Sequence, residues 1–168
     1  MKTLTLLTLF ILVSGAGKSF SSEMVAVSAG QFVLGDNADE HALPQKTMQL
    51  EAFHIDRFEV TQGDFAHLFA EFIFWKGAEA HPATHITWHQ AQSYCEQVGK
   101  RLPTEEEWEK SARGTDARLY PWGNKPLRKK PHPFYSGIIK RKVGLNKKDS
   151  SPYGVRDMAG SVWEWTAS

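Results

Sequence analysis

The sequence predicts an α+β fold that is loop-rich, with short helices and short antiparallel strands. Three observations carry this. Short runs between Glu23 and Thr61 alternate apolar and polar residues. Three threonines each open a brief stretch whose apolar residues recur with helical spacing. Fixed corners are frequent: Pro103, Pro121, Gly123 and Gly160 punctuate segments that also carry most of the six Trp residues, and proline and glycine set turn geometry by restricting or freeing φ. An indole buries a large area and needs a partner for its N–H. Trp88, Trp108, Trp122, Trp163 and Trp165 are therefore expected to pin the core.

The elements follow in order. Residues 1–21 hold Lys2, an apolar run from Leu4 to Val13 and then small residues. This is the pattern of a secretory leader, too short for a bilayer anchor, with cleavage expected after Ala16 or Ser21. An exported protein, periplasmic or secreted, is the consequence, with no membrane anchor once the leader is removed. Residues 22–168 are then one domain, as 168 residues in all and ordinary shares of hydrophobic (41%) and charged (23%) residues suggest. Val25, Val27, Phe32 and Leu34 predict two strands of a hairpin turning at Ala29–Gly30. Leu50, Phe53, Ile55 and Phe58 predict a kinked strand.

Thr61, Thr87 and Thr104 are each followed three residues later by Asp64, Gln90 and Glu107. The last two pairs fit a capping box, in which each side chain satisfies the other residue's free amide; Asp64 is a shorter reach. The helices they open carry Phe65, Leu68, Phe69 and Phe72; then Trp88, Ala91, Tyr94, Cys95 and Val98, stopping at Gly99; then Trp108 and Ala112, stopping at Gly114. Each buries one stripe.

Cys95 is the one cysteine, so it has no internal disulfide partner and thiolate-built zinc sites are excluded. Its place on an apolar helix face makes it a buried thiol without chemical use. His81, His85 and His89 are four apart, but Pro82 and the cap at Thr87 break any helix that would gather them. The formal net charge is +1, so nothing draws the chain globally to nucleic acid. From Ala117 to Lys148 there is no Asp or Glu and ten of the twenty Lys and Arg. This reads as a solvated basic loop, with an anionic polymer as the partner it would suit.

The stretches "GKRLPTEEEWEKSARG", "YPWGN" and "SPYGVRDMAGSVWEWT", preceded by "MVAVSAGQFVLGD", "FHIDRFEVTQGDFAHLF" and "HITWHQAQSYC", occur in one order. Together they resemble the formylglycine-generating enzyme, or sulfatase-modifying factor, family over nearly all of residues 22–168. The resemblance implies a C-type-lectin-like fold. It also implies an oxygen-dependent oxidation of a sulfatase cysteine to formylglycine on copper(I), with a sulfatase or other exported protein as partner. The copper ligands it implies are a cysteine pair beyond "VWEWT". With Cys95 alone, these residues are expected to be a truncated domain lacking the C-terminal part, with no catalytic and no copper-binding residue. The site the resemblance leaves is a calcium loop: carboxylates of Asp157 and Glu164 and backbone carbonyls of Gly160 and Val162, a set suited to a cation that takes six to eight oxygens. Where this chain has Ser161 the family often has Asn. The other function expected is a non-catalytic lectin-like module that binds a glycan or an anionic polymer through its loops.

Overall fold

The computed structural model describes residues 23–37, 44–126 and 141–167. The expected leader, residues 1–21, and the middle of the basic segment lie outside them. The element order is β1 (Met24–Val27), β2 (Gly30–Leu34), β3 (Lys46–Leu50), β4 (Phe53–Asp56), α1 (Gln62–Leu68), α2 (Trp88–Gln97) and α3 (Glu105–Arg113).

The predicted β1–β2 hairpin does not form. β1 pairs with β4 and β2 with β3, both antiparallel. In both sheets the numbers of the paired residues add to 80, as in Val25 with Ile55 and Phe32 with Met48. The two sheets are thus one long ribbon, 24–34 against 46–56, interrupted at residues 28–29 and 51–52. The reason lies in side-chain parity. Val25 and Val27 are buried at odd positions, Phe32 and Leu34 at even ones. An unbroken strand sends alternate residues to opposite faces, so it cannot bury both pairs on one side. The break turns the strand over, and Gly30 makes this possible with φ 138°, which a side chain would resist. The kink expected between Leu50 and Phe53 is the same break seen from the other arm.

α3 holds this break in place. The Lys110 ammonium donates to the carbonyls of Ser28 (2.8 Å) and Gly30 (3.0 Å), and its charge lies 5.9 Å from the Phe32 ring centroid. Lys110 is fully buried, and that burial lowers its pKa.

All three threonines cap their helices. Thr87 and Thr104 form complete capping boxes with Gln90 and Glu107. Thr61 accepts from the Asp64 N–H but donates its own hydroxyl to the Asp64 carboxylate, a one-sided version. α1 is only seven residues long, so Phe69 and Phe72 fold back beyond its end rather than extending its face. Phe65 is the hub there, with Phe69, Phe72 and Tyr94 rings 4.5, 4.9 and 5.6 Å away. A second core joins Val25, Ala112, Val155 and Met158, flanked by Ile55, Trp108 and Tyr153. Among the described residues no helix is long and apolar enough to cross a membrane.

The expectation for the indoles needs correction. Trp163 is 88% exposed and Trp165 48% exposed, and Trp88, Trp108 and Trp122 are only partly buried. Their N–H groups nonetheless act as pegs. Trp88 donates to the Thr166 carbonyl (2.7 Å), Trp108 to the Glu164 carboxylate (2.8 Å) and Trp165 to the Ile86 carbonyl (3.1 Å). With the Ala167 N–H on the Pro103 carbonyl (2.8 Å), these bonds stitch residues 163–167 onto the starts of α2 and α3. The rings lie along the surface because each N–H, not each face, is satisfied by the protein.

Candidate functional site

Residues 157–165, which run into the stitched segment, form one wall of a cleft of about 1000 Å³. Its other walls come from β4 and the loop after it, from α2 and from the start of α3, with Phe58, Ile86, Leu102 and Cys95 among the lining residues. Six acidic residues line this cleft; Asp56 and Glu107 are paired with Lys100 and Arg101, which leaves Glu59, Asp149, Asp157 and Glu164.

Backbone geometry places Asp157 and Glu164. Asp157 is buried, at φ 63°, and Ser161 at φ 65°. Both are left-handed, a conformation rare for residues with side chains and tolerated better by Asp and Asn than by Ser. Gly160, the expected corner, is buried but is not one of the left-handed positions; the special turns fall on its neighbours. An Asn at 161 would suit the turn that Ser161 adopts. The Asp157 carboxylate accepts from the Gly144 N–H at 2.5 Å. Gly144 is required there, because at φ 72° a Cβ would sit 2.4 Å from the Phe58 ring. Asp149 is buried and accepts from the Ala159 N–H (3.1 and 3.3 Å). Glu164 gives one oxygen to the Trp108 indole.

Arg141, Lys142 and Arg156 line the cleft with these acids. Among the described residues none of the four forms an ion pair with Lys or Arg. Glu59 is the extreme case. Both of its oxygens are out of contact with water and lack a hydrogen bond of good geometry. Burial, then the charges of Glu164 and Asp157, push its carboxyl up to about 9, although the nearby Ser161 hydroxyl and Val162 N–H pull the other way. Burial raises Asp149 to about 6 against the Ala159 bond, and raises Asp157 against the Gly144 bond and Arg156. Glu164 is pushed up to about 7 by the protein packed around it, with the Trp108 bond opposing. Its residue surface still meets water on the open side of the cleft, so solvent there tempers the effect and its direction is what matters.

Of the four residues singled out in the sequence, the structure brings Asp157, Gly160, Val162 and Glu164 to this one cleft. Their side chains alone do not enclose an ion: among the described residues no three His, Cys, Asp or Glu groups are gathered to do so. An ion there needs backbone carbonyls as well. Glu59 and Asp149 escaped sequence reasoning. Glu59 stands between Phe58 and Val60, an alternation that reads as a solvated position, so the sequence carried no signal for it. His81, His85 and His89 do not converge: the first is buried in a loop, the second exposed at φ 59° and the third on α2.

A family model described as the sulfatase-modifying factor enzyme 1-like domain matches residues 11–168. This chain belongs to the sulfatase-modifying factor family. The domain is 29% identical to the mouse formylglycine-generating enzyme, an alignment that spans 93% of this chain and 60% of that protein. It is 28% identical to the formylglycine-generating enzyme of Thermomonospora curvata over 86% of this chain and 70% of that one. Over 52% of its length it is 41% identical to the bovine inactive C-alpha-formylglycine-generating enzyme 2, of which it spans 33%. Among solved structures, CarF superposes with a TM-score of 0.62 at 21% identity, covering 88% of this chain and 80% of that one. Treponema denticola variable protein 1 superposes at 0.64 and 22%, covering 85% and 71%. The sulfatase-modifying-factor domain here thus has the expected C-type-lectin-like architecture, loop-rich with short helices and short antiparallel strands, and spans 60% of the mammalian enzyme.

Proposed function

We propose that these residues form an exported sulfatase-modifying-factor domain that does not by itself oxidise a sulfatase cysteine to formylglycine. The observation that carries this is the thiol inventory. Copper(I) is held by soft thiolates, and these 168 residues contain one cysteine. Cys95 is half-buried on α2, and burial, with Asp56 nearby, raises its pKa. A raised pKa disfavours the thiolate that would bind a soft metal or react. The donor set does not fit copper(I). A relative named inactive matches half of the chain, which agrees with this reading. The test is to incubate the purified chain with copper(I), oxygen and a cysteine peptide and to follow the cysteine by mass spectrometry. No formylglycine is expected; copper-dependent turnover would overturn the proposal. Export is checked by N-terminal sequencing of protein from the native host, which should begin at Gly17 or Ser22.

The same domain would hold calcium through the Asp157 and Glu164 carboxylates and the Gly160 and Val162 carbonyls, with Glu59 as an added oxygen donor. The support is chemical. The set is all hard oxygen, and Glu59 has two buried oxygens without a hydrogen bond of good geometry. Calcium would supply the missing positive charge and draw carbonyls into the same shell. A thermal melt in calcium against one in chelator tests this; a raised Tm that Asp157→Ala abolishes is the expected result.

A second reading is favoured by the surface. Trp163 lies open beside the cleft, and the exposed Arg141 and Lys142 stand at its rim. Aromatic faces and cations together suit an anionic glycan, so the fold would act as a lectin-like binding module. Binding of a sulfated oligosaccharide that weakens with salt and with R141A and K142A supports it; salt-insensitive or absent binding counts against it.

A further inference from the structure

We propose that Trp108 is a positioning residue for the cation at Glu164, and that it couples cation binding to the seating of residues 163–167. The proposal rests on the calcium reading above and goes beyond its ligands. Glu164 has two carboxylate oxygens, and the Trp108 indole N–H takes one of them at 2.8 Å. That bond fixes the carboxylate plane, so the other oxygen is left with a set direction. Without it Glu164 is free to turn to water, which it meets on the open side of the cleft.

The donor sits on a rigid element. α3 is closed at its start by the Thr104–Glu107 capping box, locked at its middle by Lys110 on the Ser28 and Gly30 carbonyls, and packed through Ala112 into the same core as Val155 and Met158. Trp108 itself flanks that core. Groups that orient a metal ligand from behind commonly account for a ten- to hundred-fold part of metal affinity.

The coupling follows from what else is tied to the segment. Residues 163–167 are held by the indoles of Trp88, Trp108 and Trp165 and by the Pro103 carbonyl. Three of these ties reach only neutral backbone groups. The Trp108 tie alone reaches a side chain that would itself hold the cation, the Glu164 carboxylate. A cation on the other oxygen would hold the same side chain from its far end, so the indole bond and the cation restrain one carboxylate together. Calcium would therefore tighten the segment onto α3 through this one tie.

The experiment compares calcium affinity, by titration calorimetry, and amide exchange of residues 163–167 in the wild-type chain, in W108F and in W88F. Phe keeps most of the ring and removes the N–H. Calcium is expected to slow exchange of the segment in the wild type. W108F should bind calcium about tenfold more weakly and lose the calcium-dependent protection. W88F removes an equally structural tie, to the Thr166 carbonyl, and should leave calcium affinity unchanged. Equal loss in both variants, or none in W108F, overturns the proposal while leaving the calcium reading intact; no binding to the wild type overturns both. A measurement on the unmutated chain stands beside these in case W108F does not fold. In a ¹⁵N-indole spectrum the Trp108 signal should move on calcium addition and the Trp122 signal, bonded to the Lys125 carbonyl, should not. A static Trp108 signal in the presence of bound calcium sinks the coupling.

Discussion

α3 and the loop 157–164 lie against each other and are built on opposite electrostatic plans. On α3 the charges of Glu107, Glu109, Lys110 and Arg113 all have partners. Glu107 closes the cap and takes the Arg101 guanidinium on both oxygens at 2.6 Å, which holds its carboxyl below the usual range. Glu109 pairs with Arg113 one turn on and also accepts from the Gly35 N–H. Even the buried Lys110 is met by two carbonyls. In the loop, Asp157 and Ser161 sit in left-handed conformations, and Asp157 and Glu164 have raised pKa values, as do Glu59 and Asp149 in the same cleft. The comparison teaches that Glu107 and Glu109 on the helix are met by cations within this chain, whereas Asp149, Asp157 and Glu164 of the cleft are met by amides and an indole. Strain and unpaired charge are kept where the surrounding structure over-determines them, and α3 is that surrounding structure.

The largest way to break the contrast is to unbalance the helix. Lys110→Met keeps the apolar stem but leaves the Ser28 and Gly30 carbonyls without a donor. Each buried unpaired group costs about 1–3 kcal/mol, so a loss of roughly 2–4 kcal/mol in urea unfolding is expected. Near-wild-type stability would mean that water replaces the ammonium.

The loop should respond to pH with the opposite sign from the helix acids. A carboxyl with a raised folded pKa binds more protons in the native state than in the unfolded one. Its contribution is therefore largest at low pH and declines as pH rises through the interval up to the folded value, about 9 for Glu59. In chelator, stability should fall between about pH 5 and pH 9, by at most ~1.4 kcal/mol per pH unit for each carboxyl titrating. Calcium should flatten this fall, and Glu59→Gln should remove part of it and raise Tm at pH 8 in chelator. A stability curve flat over this range, with or without calcium, would show that the cluster is screened by water. Glu107 runs the other way: its lowered pKa contributes stability above the ordinary carboxylate range that is lost as pH falls through the folded value.

A smaller effect is expected at the helix start. Thr104→Ala removes half of the capping box and should cost about 1 kcal/mol, read from the urea midpoint. The smallest is at Ser161, where Gly would relieve the left-handed backbone. A gain of up to about 1 kcal/mol is expected, set against the lost hydroxyl near Glu59; a clear loss would make that hydroxyl the more important of the two.

Much of the scaffold was legible because its causes are local. A threonine and a Gln or Glu three residues later satisfy amides within one turn, so both capping boxes could be read from spacing alone. The strand segments were legible from alternation, and the order of the motifs placed the chain in its family. The pairing of the strands was not. Which arm meets which is decided about twenty residues away, and the change of buried parity between Val27 and Phe32 was visible without its meaning. Of the site, Asp157 and Glu164 were found by resemblance. Glu59 was not, because its neighbours Asp157 and Glu164 lie about a hundred positions along the chain and nothing near it announces them.

By itself, then, the sequence determined where helices begin, which short runs are strands, which family the domain joins and that one thiol is present. Those follow from hydrogen bonds and side-chain periods that act over a few residues. Only the tertiary structure decided that the ribbon turns over at Gly30, that Trp163 faces outward while Trp108 reaches back to Glu164, and that Glu59 and Asp149 share one cleft with Asp157 and Glu164. These depend on burial and on Coulomb forces between groups far apart in the chain, which act only once folding has brought those groups together.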